Sequence, residues 1–258
     1  MAVHKIIAVG CVNGQTEIYS LEQLLRCTLK SSSVPVSCVA ISEDATWVGV
    51  GHENGDILLY DLAVPGKASR VVHAASISQV ASGRKEGHLA SRITHIGFVG
   101  ARHTSIVSGD EHGRVFWSSL GRILGVDSID VLRMLGNYER QSTLYAALPL
   151  PLGQRETDAL GLSALLTPAK LVIVGLKPPK TWYRKPRDVS SASMGAAAWS
   201  TRSKTTDPVL AYSWGTTLRL LRISQGPDFV ETLHWNAPAP IRSISWFDED
   251  VSRIRSPS

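Results

Sequence analysis

Short apolar runs broken by polar turns, returning at a fixed spacing, dominate the chain. In residues 36 to 62 (VSCVAISEDATWVGVGHENGDILLYDL), Val36, Val39 and Ile41 are followed by a polar turn at Ser42 to Thr46 and an apolar run from Trp47 to Val50. A second turn, Gly51-His52-Glu53-Asn54-Gly55, leads into a run that closes at Leu62. Runs of this length bounded by Gly, Asn and Asp predict strands, and Asn-Gly supplies the positive φ that a twisted hairpin demands. The order recurs from Ile93, Ile96 and Phe98 through Ser105 to Val107 and Gly109 to Gly113, then Val115 to Leu120. Fifteen residues separate Val36 from Gly51 and sixteen separate Ile93 from Gly109. Ile6 to Leu21 overlays Trp47 to Leu62 at an offset of 41, matching Gly10, Asn13, Gly14, Tyr19 and Leu21.

Weaker copies follow. Leu160 to Gly175 reads as a first and second strand, Pro208 to Ile223 as a hairpin, and Ile241, Ile244 and Trp246 as another first strand. A unit of about 40 to 45 residues built from short strands predicts an all-β fold, a WD40-like β-propeller. The chain, residues 1–258, reads as a single propeller domain with loop insertions at about 68–91 and 178–207. Removing these leaves about five blades, an incomplete part of a larger propeller. The expected strands are 6–10, 15–21, 36–41, 47–51, 56–62, 93–98, 104–109, 114–120, 171–175, 209–214, 217–223 and 241–246. Ser128 to Tyr138 fits a short helix nearly as well as a strand. Ile6 to Leu21 is expected to lack a preceding strand, and Ile241 to Phe247 a following one. The repeats are degenerate: Tyr60-Asp61 stands where Trp-Asp is expected, and no repeat is read as opening with Gly-His.

Charge changes the picture in one place. Of a net +5, the segment Lys177 to Lys204 carries seven bases against Asp188, a local +6, so the other 230 residues sum to −1. Such a balance gives no case for nucleic acid. Within it, Lys177, Lys180, Trp182, Tyr183, Arg184, Lys185 and Arg187 place two adjacent aromatics among five cations, a candidate contact for an anionic membrane or an acidic partner on a mobile loop. A solvated loop with its aromatics folded back on a blade is the plainer alternative.

No nucleophile elbow, zinc-protease helix or phosphate loop is present, which predicts a non-enzymatic protein with no cofactor, metal or small-molecule substrate. His52, Glu53 and Asp56, and again Asp110, Glu111 and His112, could suggest metal ligands, but each set falls on an equivalent hairpin turn, where such residues serve local hydrogen bonding. Cysteines at 11, 27 and 38 form no C-x-x-C pair and predict reduced, cytosolic thiols. The longest apolar run, Leu171 to Leu176, is far short of the ~18 residues of a membrane span.

The stretch Thr94 to Thr104 with Ile106 to Gly113, the Gly51 to Gly55 turn and the segment Leu176 to Arg184 resemble the N-terminal propeller of the vacuolar protein sorting-associated protein eight family. That family is the Rab-binding subunit of the CORVET tethering complex. The resemblance implies a cytoplasmic scaffold, peripheral on endosomal membranes, that serves vesicle tethering and vacuolar or lysosomal protein sorting. Its implied partners are an active endosomal Rab GTPase and the other tethering subunits. A generic WD40 adaptor, such as a substrate receptor of a ubiquitin ligase, is the competing expectation.

Overall fold

The computed structural model describes every residue except 31–32, 84–85, 101–102, 124–125, 140–142, 152–158, 188–193, 201–206, 225, 227, 248–250 and 256–258; at 121–123, 126–130, 247 and 251–255 it describes the backbone alone. Two compact units result, Met1–Ser142 and Thr143–Ser258. The described elements are β-strands but for one short helix.

In the first unit, β1 (Ala2–His4), β2 (Ile6–Gly10), β3 (Gln15–Tyr19) and β4 (Leu25–Lys30) form one antiparallel meander. The next consists of β5 (Val36–Ile41), β6 (Trp47–His52), β7 (Ile57–Asp61) and β8 (Arg70–Val72). Helix α1 (Ile77–Ala81) lies in the connection to β9 (Ile93–Phe98), β10 (Ser105–Asp110), β11 (Arg114–Ile123) and β12 (Val126–Asn137), the third meander. Alternation gives each sheet two apolar faces, and successive sheets bury them against each other. Ile6, Ala8 and Ile18 meet Val48, Val50 and Tyr60. On the other face of the second sheet, Ile57 and Leu59 meet Ile93 and Ile106. Gly55, at φ +88°, closes the β6–β7 hairpin as its Asn-Gly signal requires.

The second unit repeats the plan. Its strands β13 (Ala146–Pro149), β14 (Ser163–Leu166), β15 (Lys170–Leu176) and β16 (Pro179–Pro186) form one sheet. The next comprises β17 (Gly195–Trp199), β18 (Val209–Trp214), β19 (Thr217–Ser224) and β20 (Asp228–Asn236), followed by the pair β21 (Ser243–Phe247) and β22 (Val251–Arg255). Leu166, Leu171 and Ile173 pack with Trp199, Leu210, Tyr212 and Leu221 between the two larger sheets.

The five four-stranded antiparallel sheets agree with the expected blades, and all twelve expected strands form within a few residues of their bounds. The open choice at Ser128 to Tyr138 resolves as strand, since its residues up to Asn137 lie on β12. Five readings are corrected. Strand β1 precedes Ile6, and β22 follows Phe247. The copy at 160–175 is one strand out of step, because Ser163–Leu166 is the second strand of its sheet and Lys170–Leu176 the third. The expected loop at 178–207 holds two strands, β16 and β17, and that at 68–91 holds β8 and α1. Pro179 and Pro186 sit at the ends of β16, which is a sheet edge, where a missing N–H does no harm.

Candidate functional site: a cationic edge strand

Residues Pro179–Pro186 of the basic segment, expected as loop, form the edge strand β16, and its register with β15 sorts its side chains. Leu171 faces Lys185, Ile173 faces Tyr183, and a bulge between Ile173 and Val174 accommodates Trp182. The indole of Trp182 lies over Gly175, where an added Cβ would collide with Nε1. Lys180 lies over that ring, its ammonium 3.6 Å from the centroid, a cation–π contact. Tyr183 stacks on Phe229 of β20 at 5.3 Å.

Below these rings a single carboxylate gathers four donors. Glu231 accepts the hydroxyl of Tyr212 at 2.6 Å and that of Tyr183 at 3.3 Å on Oε1, and Lys185 at 3.3 Å and Arg219 at 3.2 Å on Oε2. Burial alone would raise the Glu231 carboxyl, but the Tyr212 hydroxyl and the two cations hold it below its ordinary value. The same burial, with Glu231 beside them, raises both phenols, that of Tyr183 to about 12. This is a clasp between two sheets. The carboxyl is held ionised and both phenols protonated, which is the reverse of what acid–base chemistry needs.

Of the seven singled-out residues, Tyr183 and Lys185 are thus spent on Glu231, Trp182 is packed over Gly175, and Arg187 donates to the Pro168 carbonyl at 3.3 Å. Lys177, Lys180 and Arg184 remain exposed. Arg202 and Lys204 lie outside the described residues.

A second polar cluster, in the first unit, was not foreseen. His88 Nδ1 lies 2.9 Å from Asp110 Oδ2 and its Nε2 lies 2.9 Å from Ser108 Oγ, with Ser91 donating to Asp110 at 3.3 Å. Asp110 also accepts the backbone N–H groups of His112 and Arg114 at 3.0 and 2.9 Å, closing the β10–β11 turn. Burial would raise its carboxyl; His88 and the Arg114 amide hold it low. The Ser–His–Asp order is that of a hydrolase relay. With Ser108 at 1% exposure, His88 at 3% and Asp110 at 0%, no substrate carbonyl can reach Oγ, and the cluster pins the 73–92 connection to the sheet. Gly87-His88, 22 residues ahead of Asp110, is a Gly-His opening for this repeat, contrary to the expectation of none, and lies inside the segment 68–91 that the repeat spacing sets apart as an insertion.

The other histidine turn is also internal. His52 Nδ1 is 2.9 Å from the Val34 carbonyl, and Asp56 accepts the Ala74 amide at 2.9 Å. Among the described residues no group of three or more His, Cys, Asp or Glu is placed to hold a metal, and all three cysteines are free. A groove of about 1100 Å³ runs beside α1, lined among others by Ile77, Leu89, His112 and Glu139.

Residues 1–252 match the model of the Vps8 beta-propeller. The chain belongs to that family. Vacuolar protein sorting-associated protein 8 homolog of Mus musculus is 26% identical over 236 residues, 87% of this chain and 16% of that protein. This member of the Vps8 beta-propeller family therefore spans under a fifth of the relative's length. Solved structures agree on the fold. The Cps50 (Swd1) beta-propeller domain of Myceliophteria thermophila matches with a TM-score of 0.62 at 11% identity, over 90% of this chain and 69% of that one. A chain of the mitotic checkpoint complex gives 0.61 at 12%, over 93% and 67%. The dihydro-heme d1 dehydrogenase NirN gives 0.63 at 14%, over 95% and 47%. At these identities the likeness carries the β-propeller fold and nothing further. Among the described residues no helix is long and apolar enough to cross a membrane.

Proposed function

We propose that this propeller is a non-enzymatic interaction module in vesicle tethering and vacuolar protein sorting, peripheral on endosomal membranes, and that it engages an endosomal Rab GTPase in its GTP-bound state. The observation that carries this reading is the family match over residues 1–252, joined to a relative whose name places it in vacuolar sorting. The physical reading supports it. The Ser–His–Asp cluster is sealed in the core, whereas a cationic strand and a groove, the equipment of a binding surface, are exposed among the described residues. A propeller serves this role well because its rigid sheets hold variable connections in fixed positions.

The adaptor alternative has no observation of its own, since the checkpoint and Swd1 likenesses are those of fold. Pull-down of the 258-residue chain with a panel of Rab proteins, each loaded with GDP or a non-hydrolysable GTP analogue, tests the proposal. Retention of an endosomal Rab in the GTP form alone is the expected result. Equal retention of both nucleotide states, or of none, overturns it.

A further inference from the structure

We infer that the outer edge of β16 docks an extended acidic polypeptide segment, which adds to the β13–β16 sheet as a fifth strand. Three observations meet there. The strand is the last in its sheet order, so one of its edges is unpaired within the sheet. Arg187 donates its N–H to the Ala169 carbonyl at 2.9 Å, and Lys185 and Tyr183 follow in the same register opposite Leu171 and Ile173. Antiparallel alternation then turns those amides toward β15 and the Arg184 N–H and C=O outward, available to an incoming backbone. Pro186, the next outward position, offers its C=O alone, so the ladder to an incoming strand rests on both Arg184 groups and that carbonyl.

Second, two exposed cations, Lys180 and Arg184, lie on this strand and a third, Lys177, in the turn that leads into it, while Lys185 is neutralised by Glu231. The charge of the edge therefore selects carboxylate-bearing segments and repels basic ones. Third, the strand is already rigid, because Tyr183 is stacked on Phe229 and Trp182 is seated over Gly175, so little ordering remains to be done on binding.

The same facts argue against a lipid surface. The two aromatics that would enter a bilayer are packed inward, and three exposed cations fall below the ~4–8 that recruit a protein to anionic lipid. A bilayer also has no backbone with which to use the Arg184 amide.

The test uses the whole chain and three probes: a fluorescein-labelled peptide of alternating Glu and Val, the same peptide N-methylated at every second residue, and vesicles of phosphatidylserine and phosphatidylcholine. Fluorescence anisotropy should show saturable binding of the first peptide. That binding should weaken about tenfold in the K177E/K180E/R184E variant, whose changes are all at exposed positions, and about tenfold on N-methylation of the peptide. An unchanged melting temperature confirms that the variant is folded; should it shift, K177Q/K180Q/R184Q replaces it, with a smaller loss expected. Equal binding of the N-methylated peptide, indifference to the charge reversal, or vesicle binding that exceeds peptide binding and is removed by the reversal would each overturn the inference.

Discussion

Two polar clusters each tie separate parts of the chain together, and they do so under opposite conditions. The His88–Asp110–Ser108 cluster of the first unit is sealed from water, with every member at 3% exposure or less. The Glu231 cluster of the second unit leaves its carboxylate 27% exposed, with Lys185 equally so. In a dry interior a hydrogen bond is strong and an orphaned partner is expensive; at a half-wet edge, water replaces what is lost. The first cluster is a fixed joint. The second holds an outer strand firmly enough to present it, yet tolerates change.

The sharpest break of this comparison is Asp110→Ala, which strands His88, Ser91 and two turn amides at once. It should cost about 3 kcal/mol or more in urea unfolding, as removal of one partner from a buried charged network does. A cost under about 1 kcal/mol would mean the joint is no stronger than the clasp. Gly175→Ala comes next: the added methyl must push Trp182 off its seat, an overpacking strain of about 1 to 3 kcal/mol with a shift in tryptophan emission. Glu231→Gln keeps the shape and loses the charge, and is expected to cost about 1 kcal/mol, reduced further by salt. Tyr183→Phe is the mildest, about 0.5 kcal/mol, because its 3.3 Å hydrogen bond is long and the ring stays on Phe229.

Titration separates the two clusters further. Asp110 is held below its ordinary 3.8, so its contribution is complete above that value and lost as pH falls through the lowered one. The Tyr183 phenol is raised from 10.0 to about 12, so its contribution is complete below pH 10 and lost as pH rises toward 12. Melting temperature followed against pH should therefore show an acid limb that Asp110→Ala flattens and an alkaline limb that Tyr183→Phe flattens. An acid limb unaltered in Asp110→Ala would place the sensitive carboxylate elsewhere.

The inner strands were legible because both their faces are buried: β6 and β18 read as nearly continuous apolar runs beside glycine turns. The outer strands were not. β4, β8, β16 and β20 each lie at a sheet edge, and the polar residues at their exposed positions, such as Lys180 and Arg184, erase the alternation that marks a strand. The same cause misplaced the site. Local charge density at 177–187 was visible, but its division between exposed cations and those held by Glu231 depends on a residue 46 positions away from Lys185. The His88 joint failed for the opposite reason: its dipeptide was in plain sight, but only the distance to Asp110 in space gives it meaning.

Helix α1 has a capping box between Ser76 and Gln79 and not one buried residue; Ile77 is 75% exposed and Val80 39%. A turn of helix with no residue in the core is anchored by its flanks: Ala75, just before it, bridges to Leu89, and His88 pins the return of the connection. Exchanging the outward Ile77 or Val80 should therefore leave the melting temperature nearly unchanged, whereas Gln79, which closes the cap on Ser76, is not free to vary. Positions 77 and 80 are thus where the surface chemistry of this connection can be changed without endangering the fold.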